Sequence, residues 1–118
     1  MPDQAREELI ICVLNEPAFL DDVLAAFLEA DITTATVIES QGMGRLLSQD
    51  MPIFASFRHL FAGSKPYSYT IVAPVADGRL IHEIVPLIRD VLADADQTDR
   101  GFVFSLPLST FVNLSNTG

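Results

Sequence analysis

The residues best suited to binding chemistry form one short run, Gly42-Met43-Gly44-Arg45, which follows a stretch rich in β-branched side chains. Glycine has no Cβ, so the backbone can adopt a positive φ there and a ligand can approach the amide groups closely. Exposed amide donors beside a guanidinium suit an anion such as phosphate. A Gly-x-Gly turn is common by itself, so this interpretation depends on the elements around it.

The remaining reactive side chains do not form a recognisable catalytic or metal-binding set. Cys12 is the only cysteine and lies within an apolar run, which excludes an internal disulfide and favours an inert buried thiol in a reducing compartment. His59 and His82 lie on different predicted elements, and the acidic run 94–99 lacks the glycine and glutamate of a calcium loop. We therefore expect no catalytic residues, no metal site and no enzymatic activity.

Length, charge and hydropathy set the class of protein. The chain has 118 residues, 49% of them hydrophobic, so we expect a single domain over 1–118 with a sizeable core. Sixteen acidic residues against seven basic ones give a net charge of -9, which argues against binding to nucleic acid or to anionic lipid. No apolar run approaches the ~20 residues of a membrane span. These features predict a cytoplasmic protein without direct membrane insertion.

Hydrophobic periodicity predicts six elements in the order strand, helix, strand, strand, helix, strand. Their predicted ranges are 9–14, 18–30, 32–40, 67–75, 80–92 and 102–106, with a short fifth strand at 109–114. Pro86 lies within the second helix and should kink it or displace a hydrogen bond. The βαββαβ order predicts an α+β, ferredoxin-like sandwich in which two helices cover one face of an antiparallel sheet.

The other face of that sheet should be apolar as well. The first and fourth strands carry hydrophobic residues at consecutive positions, as in Ile10-Ile11 and Phe102-Val103-Phe104. A bare apolar sheet face is too large a patch for a monomer. Burial against other copies of the chain resolves this, so we expect a homo-oligomer.

The length of the segment 43–65 between two predicted strands indicates a functional loop with structure of its own. An apolar stripe in it has the spacing of one helix face, and Pro52 stands at the first position of that helix. The stripe consists of Ile53, Phe54, Phe57, Leu60 and Phe61. We expect these side chains to be buried, either on the protein's own assembly or in the groove of a partner.

Five stretches together resemble the PII signalling proteins (nitrogen regulatory protein P-II). They are Phe19 to Phe27, Asp31 to Glu39, Gln41-Gly42-Met43-Gly44-Arg45, Ile71-Val72-Ala73-Pro74 and Gly101-Phe102-Val103-Phe104. The second resembles the family's Gly-Ile-Thr-x-x-Thr-Val-x-Glu, and the third its Lys-Gly-Phe-Gly-Arg at the entry to the T-loop. The resemblance covers about 8–106, with a T-loop equivalent at about 43–65 and a C-terminal tail at 107–118.

The resemblance implies a homotrimer that binds an adenine nucleotide (AMP, ADP or ATP) in each cleft between subunits. It also implies signalling through the T-loop equivalent to a membrane transporter or an enzyme. The residues that it assigns to ligand binding are Thr36, Gly42, Met43, Gly44, Arg45, Val72, Arg100 and Gly101, with Lys65 as a further candidate. Thr36 would lie by the adenine or ribose, Val72 would offer backbone contacts to the base, and the 42–45 turn would line the phosphates.

Several positions depart from the family pattern. The segment 97–101 contains one glycine where the family's B-loop is rich in glycine, and Arg100 stands where the family has lysine. No cation occurs in 109–113. Leu46 replaces the glutamine that follows the T-loop arginine in the family, so the resemblance does not extend to a site for 2-oxoglutarate and magnesium. We therefore expect weaker ATP binding, a preference for AMP or ADP, or another ligand. The alternatives are a trimeric adaptor without a ligand and a CutA-like metal-binding trimer.

Overall fold

The computed structural model describes residues 5–43, 67–95 and 99–115, and the structural statements below refer to these ranges. The elements are β1 (Glu8–Leu14), α1 (Leu20–Glu29), β2 (Thr36–Ser40), β3 (Ser68–Val75), α2 (Ile81–Val91) and β4 (Gly101–Pro107). Single 3-10 turns at Pro17–Phe19 and Gly78–Leu80 precede the two helices, and a third, Leu92–Asp94, follows α2. No helix in these ranges is both long and apolar enough to cross a bilayer.

The four strands form one antiparallel sheet in the order β2-β3-β1-β4. The register places Ile11 of β1 between Val72 of β3 and Phe104 of β4, and Thr36 of β2 opposite Val72. Directly opposed residues point to the same side of a sheet, so these four residues share one face. The order and pairing confirm the predicted α+β, ferredoxin-like arrangement.

The core lies between the sheet and the two helices. Alternate strand residues such as Ile10, Leu14 and Ile71 are fully buried there, against Phe27 of α1 and Ile84 of α2. Burial of an aliphatic or aromatic side chain of this size stabilises the fold by roughly 1.5–3 kcal/mol. We call this side of the sheet the helix face and the opposite side the open face.

The end of α1 has a defined geometry at Asp31. The residue has φ 64°, and its N–H bonds the Leu28 carbonyl at 2.9 Å, while the Ile32 N–H bonds the Phe27 carbonyl at 2.9 Å. This is the Schellman pattern of a helix C-terminus, whose left-handed residue is most often glycine and sometimes asparagine. Aspartate can occupy the same conformation because its short polar side chain tolerates it. The buried Ile32 then carries the chain back to the sheet.

The strand β2 begins at Thr36, four residues later than the sequence predicts, and the reason lies on β3. The register would place Thr34 opposite Pro74, which has no N–H to contribute to the ladder. The Thr34 hydroxyl instead donates to the Pro74 carbonyl at 2.6 Å. A side chain therefore replaces the backbone pairing there, and the prediction of a strand from residue 32 is wrong.

The prediction of a fifth strand at 109–114 is also wrong, because 108–115 contains no strand. The last backbone contact of this region to the sheet is the bond from the Leu108 N–H to the Glu7 carbonyl, at 3.1 Å. The chain then turns, and the Asn113 side chain accepts from the Ser115 N–H at 2.8 Å. The helix α2 continues through Pro86. The helix predicted at 53–61 lies outside the described residues.

Candidate ligand site

A cavity of about 340 Å³ opens on the open face, at the end of the sheet where β2 ends. Its walls come from the ends of all four strands and the segments that join them. They are Val13, Asn15, Ser40, Gln41, Gly42, Met43, Ser68, Thr70, Asp99 and Phe102. The cavity therefore includes the first two residues of the Gly42-Met43-Gly44-Arg45 run. We call it the β2-end cavity.

Three hydroxyl groups form the polar wall of the β2-end cavity. The Ser40 hydroxyl lies 2.9 Å from that of Ser68 and 2.8 Å from that of Thr70. Ser68, which is 1% exposed, also donates to the Ser40 carbonyl at 3.3 Å. A hydroxyl is both a donor and an acceptor and can rotate, so this cluster can present either function to a polar ligand.

The side chains of Asn15 and Asp99 form the wall of the cavity on the side of β1 and β4. The Asn15 side-chain amide donates to the Asp99 carboxylate at 3.1 Å, and the Asn15 N–H bonds the Arg100 carbonyl at 3.0 Å. These bonds tie the chain before β4 to the end of β1. They also place a negative charge at the cavity, whose described lining contains no basic residue.

Glu16 follows Asn15 and carries a polar atom without a partner. The residue is 5% exposed, and its Oε1 atom is buried with no hydrogen bond in the described part of the chain. A buried acceptor of this kind costs about 1–3 kcal/mol. The end of β1 therefore contains an acceptor that the described residues leave unsatisfied.

The structure brings some of the predicted ligand residues together and separates others. Gly42 and Met43 line the β2-end cavity. Thr36 and Val72 oppose each other on the same face, four residues from the Ser40–Ser68 pair and hence about 13 Å along the sheet. Gly44, Arg45 and Lys65 lie outside the described residues.

Arg100 and Gly101 line a different cavity, between β4 and α2. The Arg100 Nη2 donates to the Ala95 carbonyl at 3.2 Å. Gly101 has φ 122°, and a Cβ built on it would lie 1.9 Å from the Val13 carbonyl oxygen. Glycine is therefore required for β4 to start against β1. Nothing lies within 4 Å of a Cβ on Gly42, so no such constraint applies there.

Sequence reasoning did not identify Asn15, Ser40, Ser68, Thr70 or Asp99 as site residues. Only the tertiary fold brings them together, because they come from four separate segments. One signal was present in the sequence. Ser68 and Thr70 place polar side chains at alternate positions of an otherwise apolar strand, which marks one end of the open face as polar.

The rest of the open face is apolar, as the sequence predicts. Phe102 and Phe104 of β4 are 59% and 43% exposed, and their rings stack with centroids 6.1 Å apart. Leu106 and Ile38 are also exposed large hydrophobic residues on this face. The β2-end cavity therefore lies at the border of an apolar surface that no described element covers.

The cysteine of the chain is buried in the core, and the described metal-ligating side chains are not clustered. Burial raises the pKa of Cys12 to about 11, so this buried thiol is protonated at neutral pH and is a poor nucleophile. Within 5–43, 67–95 and 99–115, no group of three histidine, cysteine, aspartate or glutamate side chains is arranged to hold a metal ion. His82 is exposed on α2, and His59 lies outside these ranges.

Comparison with known proteins shows a likeness of fold. No family model and no curated protein matches the chain. Among solved structures, the chain is similar to the PII protein of Arabidopsis thaliana, whose crystal structure contains citrate. The TM-score is 0.64 at 16% identity, and the match covers 97% of this chain and 87% of that one. The chain therefore has the ferredoxin-like fold that PII proteins also have.

Proposed function

We propose that this protein is a PII-like regulator that senses a small anionic ligand in clefts between the subunits of a homotrimer. The observation that carries the proposal is the β2-end cavity. It connects the Gly42-Met43 turn to Asp99 before β4, and it opens on an apolar sheet face that no described element covers. The similarity of fold to a PII protein over 97% of the chain supports the same assignment.

The apolar open face supports the oligomeric part of this proposal. Exposed phenylalanine side chains on β4 and Ile38 on β2 extend across the sheet. A second copy that covered this face would remove that surface from water and would close the β2-end cavity from the side. The cavity would then be a cleft between subunits, with one wall from each.

The proposed ligand is an adenine nucleotide, with AMP or ADP bound in preference to ATP. The Asp99 carboxylate lies in the lining and would disfavour a polyphosphate more than a monophosphate, and the described lining contains no basic residue. The Ser40, Ser68 and Thr70 hydroxyls offer hydrogen-bond partners for a ribose. Arg45 follows the glycine turn in sequence and is the base proposed to bind the phosphate, with Lys65 in support. Citrate, present in the Arabidopsis structure, is a second test ligand.

The proposed output is the segment 43–65. It begins at the β2-end cavity, because Met43 is part of the lining. A ligand bound there would change the affinity of the segment for a target only if the ligand binds with different free energies to the protein alone and to the protein docked on its target. We propose a membrane transporter or an enzyme as the target.

Titration calorimetry with AMP, ADP, ATP and citrate tests the ligand proposal. We expect AMP or ADP to bind more tightly than ATP. Loss of one charged bond in Arg45→Ala should weaken binding by about 1.5–3 kcal/mol, or roughly ten- to a hundredfold. The control is Arg79→Ala, because Arg79 forms its ion pair with Asp77, at 2.8 Å, and does not line the cavity.

A second variant tests the electrostatic argument directly. Asp99→Asn keeps an acceptor for the Asn15 amide and removes the negative charge. We expect it to increase the affinity for ATP more than that for AMP, because ATP carries more charge. If none of the four ligands binds to the wild-type chain, the nucleotide proposal is wrong and the adaptor without a ligand is favoured.

A further inference from the structure

A second, larger cavity lies on the helix face, between α2 and the start of β4. Its volume is about 720 Å³, which is within the range of about 300–1,000 Å³ typical of small-molecule sites. Its lining includes four buried apolar residues, Cys12, Leu14, Ile88 and Leu92. We call it the α2–β4 cavity.

The lining of the α2–β4 cavity includes one position without a side chain. Gly101 opposes Leu14, so it occupies the helix-facing position at the start of β4. No side chain can be added there, because a Cβ would overlap the Val13 carbonyl oxygen. The neighbouring Ala93 is small and exposed. The next helix-facing residue that can fill space is Val103, two positions further on.

The charge of the α2–β4 cavity is unusual for this protein. Arg89 and Arg100, two of only seven basic residues in an acidic chain, both line it. Its described lining contains no acidic residue, in contrast to the β2-end cavity with Asp99. Within the described ranges, no hydrogen bond or ion pair holds the Arg89 guanidinium. The cavity therefore combines an apolar surface with a positively charged rim.

We propose that the α2–β4 cavity binds an amphipathic carboxylate, with the carboxylate at Arg89 and the apolar body against Cys12, Ile88 and Leu92. A guanidinium forms paired hydrogen bonds with a carboxylate and so selects this head group. The apolar wall selects a hydrocarbon body, because burial of its surface favours binding. This site is distinct from the proposed nucleotide site, although the two cavities adjoin. They share only Val13 and Phe102, whereas Arg89, Ile88 and Leu92 line the α2–β4 cavity alone.

Titration calorimetry with decanoate tests this site. Butyrate has the same head group with a shorter tail, and decyltrimethylammonium has a similar tail with the opposite charge. We expect saturable binding of decanoate and binding at least about tenfold weaker for both controls. Arg89→Gln should lower the affinity for decanoate about tenfold, since it removes a charged hydrogen bond. The matched control Arg6→Gln removes an exposed arginine that does not line the cavity and should leave the affinity unchanged.

A second pair of variants locates the tail. Ala93→Trp fills the cavity and should abolish binding, whereas Ala25→Trp on the exposed side of α1 should not change it. Cys12 is the only cysteine and lines this cavity, so alkylation by iodoacetamide at pH 9 reports on this cavity alone. Bound decanoate should slow the alkylation.

Several results would overturn the proposal. They are no saturable binding of decanoate, equal affinities for Arg89→Gln and Arg6→Gln, and decanoate binding that survives in Ala93→Trp. The last would place decanoate elsewhere, for example on the open face. If Ala93→Trp does not fold, as judged by circular dichroism, the arginine pair decides. Addition of AMP should not displace decanoate, so failure of this site and failure of the nucleotide site can be told apart.

Discussion

The two faces of the sheet have similar hydrophobic sequences but very different surroundings. On the helix face, Ile10 and Ile71 are fully buried beneath α1 and α2. On the open face, Ile38, Phe102 and Phe104 lie on the same sheet yet retain between 43% and 59% of their exposure. Hydrophobicity alone therefore does not distinguish the two faces. The difference is that the described residues cover only one of them.

This difference assigns separate roles to the two faces. The helix face holds the subunit together, because its residues are buried within a single chain. The open face adds little to the stability of an isolated subunit but has the apolar surface expected of an interface. The predictions below test this division of roles, beginning with the largest expected effect.

A charge on the open face should break the assembly. We expect Phe104→Asp to prevent the proposed homo-oligomer from forming, because a carboxylate would be buried without a partner between copies. The matched control Leu28→Asp changes a residue on α1 that is 65% exposed and should leave the assembly intact. Sedimentation velocity at micromolar concentration measures both. A monomeric wild-type chain, or equal dissociation of the two variants, would contradict the prediction.

Isoleucine truncation on the two faces should have unequal effects. Ile71→Ala on the helix face should lower the free energy of unfolding by about 2–5 kcal/mol, because it leaves a cavity in the core. Ile38→Ala on the open face should cost below about 1 kcal/mol, because that side chain is already half exposed. Urea unfolding in the Phe104→Asp background excludes effects of association. Similar losses for both variants would mean that the two faces contribute alike within a subunit.

The attachment of β4 to the sheet should depend on Gly101. Gly101→Ala should cost about 3 kcal/mol or more, since the φ of 122° disfavours a side chain and the added Cβ overlaps the Val13 carbonyl. The matched control Gly42→Ala should change stability by less than about 0.5 kcal/mol, because its Cβ would have open space. Thermal unfolding compares them. A tolerated Gly101→Ala would mean that β4 can shift relative to β1.

The buried thiol on the helix face should make stability fall at alkaline pH. The pKa of Cys12 is raised by burial from 9.0 to about 11, so the unfolded chain loses this proton before the folded chain does. The stability is fully present below pH 9, and roughly 2–3 kcal/mol of it should be lost as the pH rises through 9 to 11. Cys12→Ala should remove this part of the slope, whatever its effect on stability at pH 7. Urea unfolding at several pH values measures it, and an unchanged slope would contradict burial of the thiol.

The order of the elements could be predicted from the sequence, but their limits could not always be. Helical spacing of apolar residues located both helices, and the β-branched runs located all four strands. The start of β2 could not be predicted, because it depends on the register that places Thr34 opposite Pro74 on a distant strand. The stretch 109–114 has the composition of a strand but finds no strand to pair with in the described part of the chain.

The residues of the candidate site also fall into two groups, those that the sequence identifies and those that only the tertiary fold brings together. Gly42 and Met43 could be singled out because their residue types carry the signal locally, and both line the β2-end cavity. Asn15 and Asp99 are 84 residues apart, and only the closure of β4 against β1 brings the amide and the carboxylate together. Likewise, only the tertiary fold places Arg100 and Gly42 in the lining of different cavities. No local pattern shows which of two cavities a residue will line.

By itself, the sequence determined the alternation of apolar residues, the breaks between elements and the acidic balance of charge. These are local properties, set by side-chain chemistry and by backbone preferences over a few residues. Tertiary structure alone decided which apolar face the helices cover, where the hydroxyl cluster lies and which cavity receives each arginine. The physical reason is that burial and hydrogen bonding depend on contacts between distant segments, and the strand register selects those contacts.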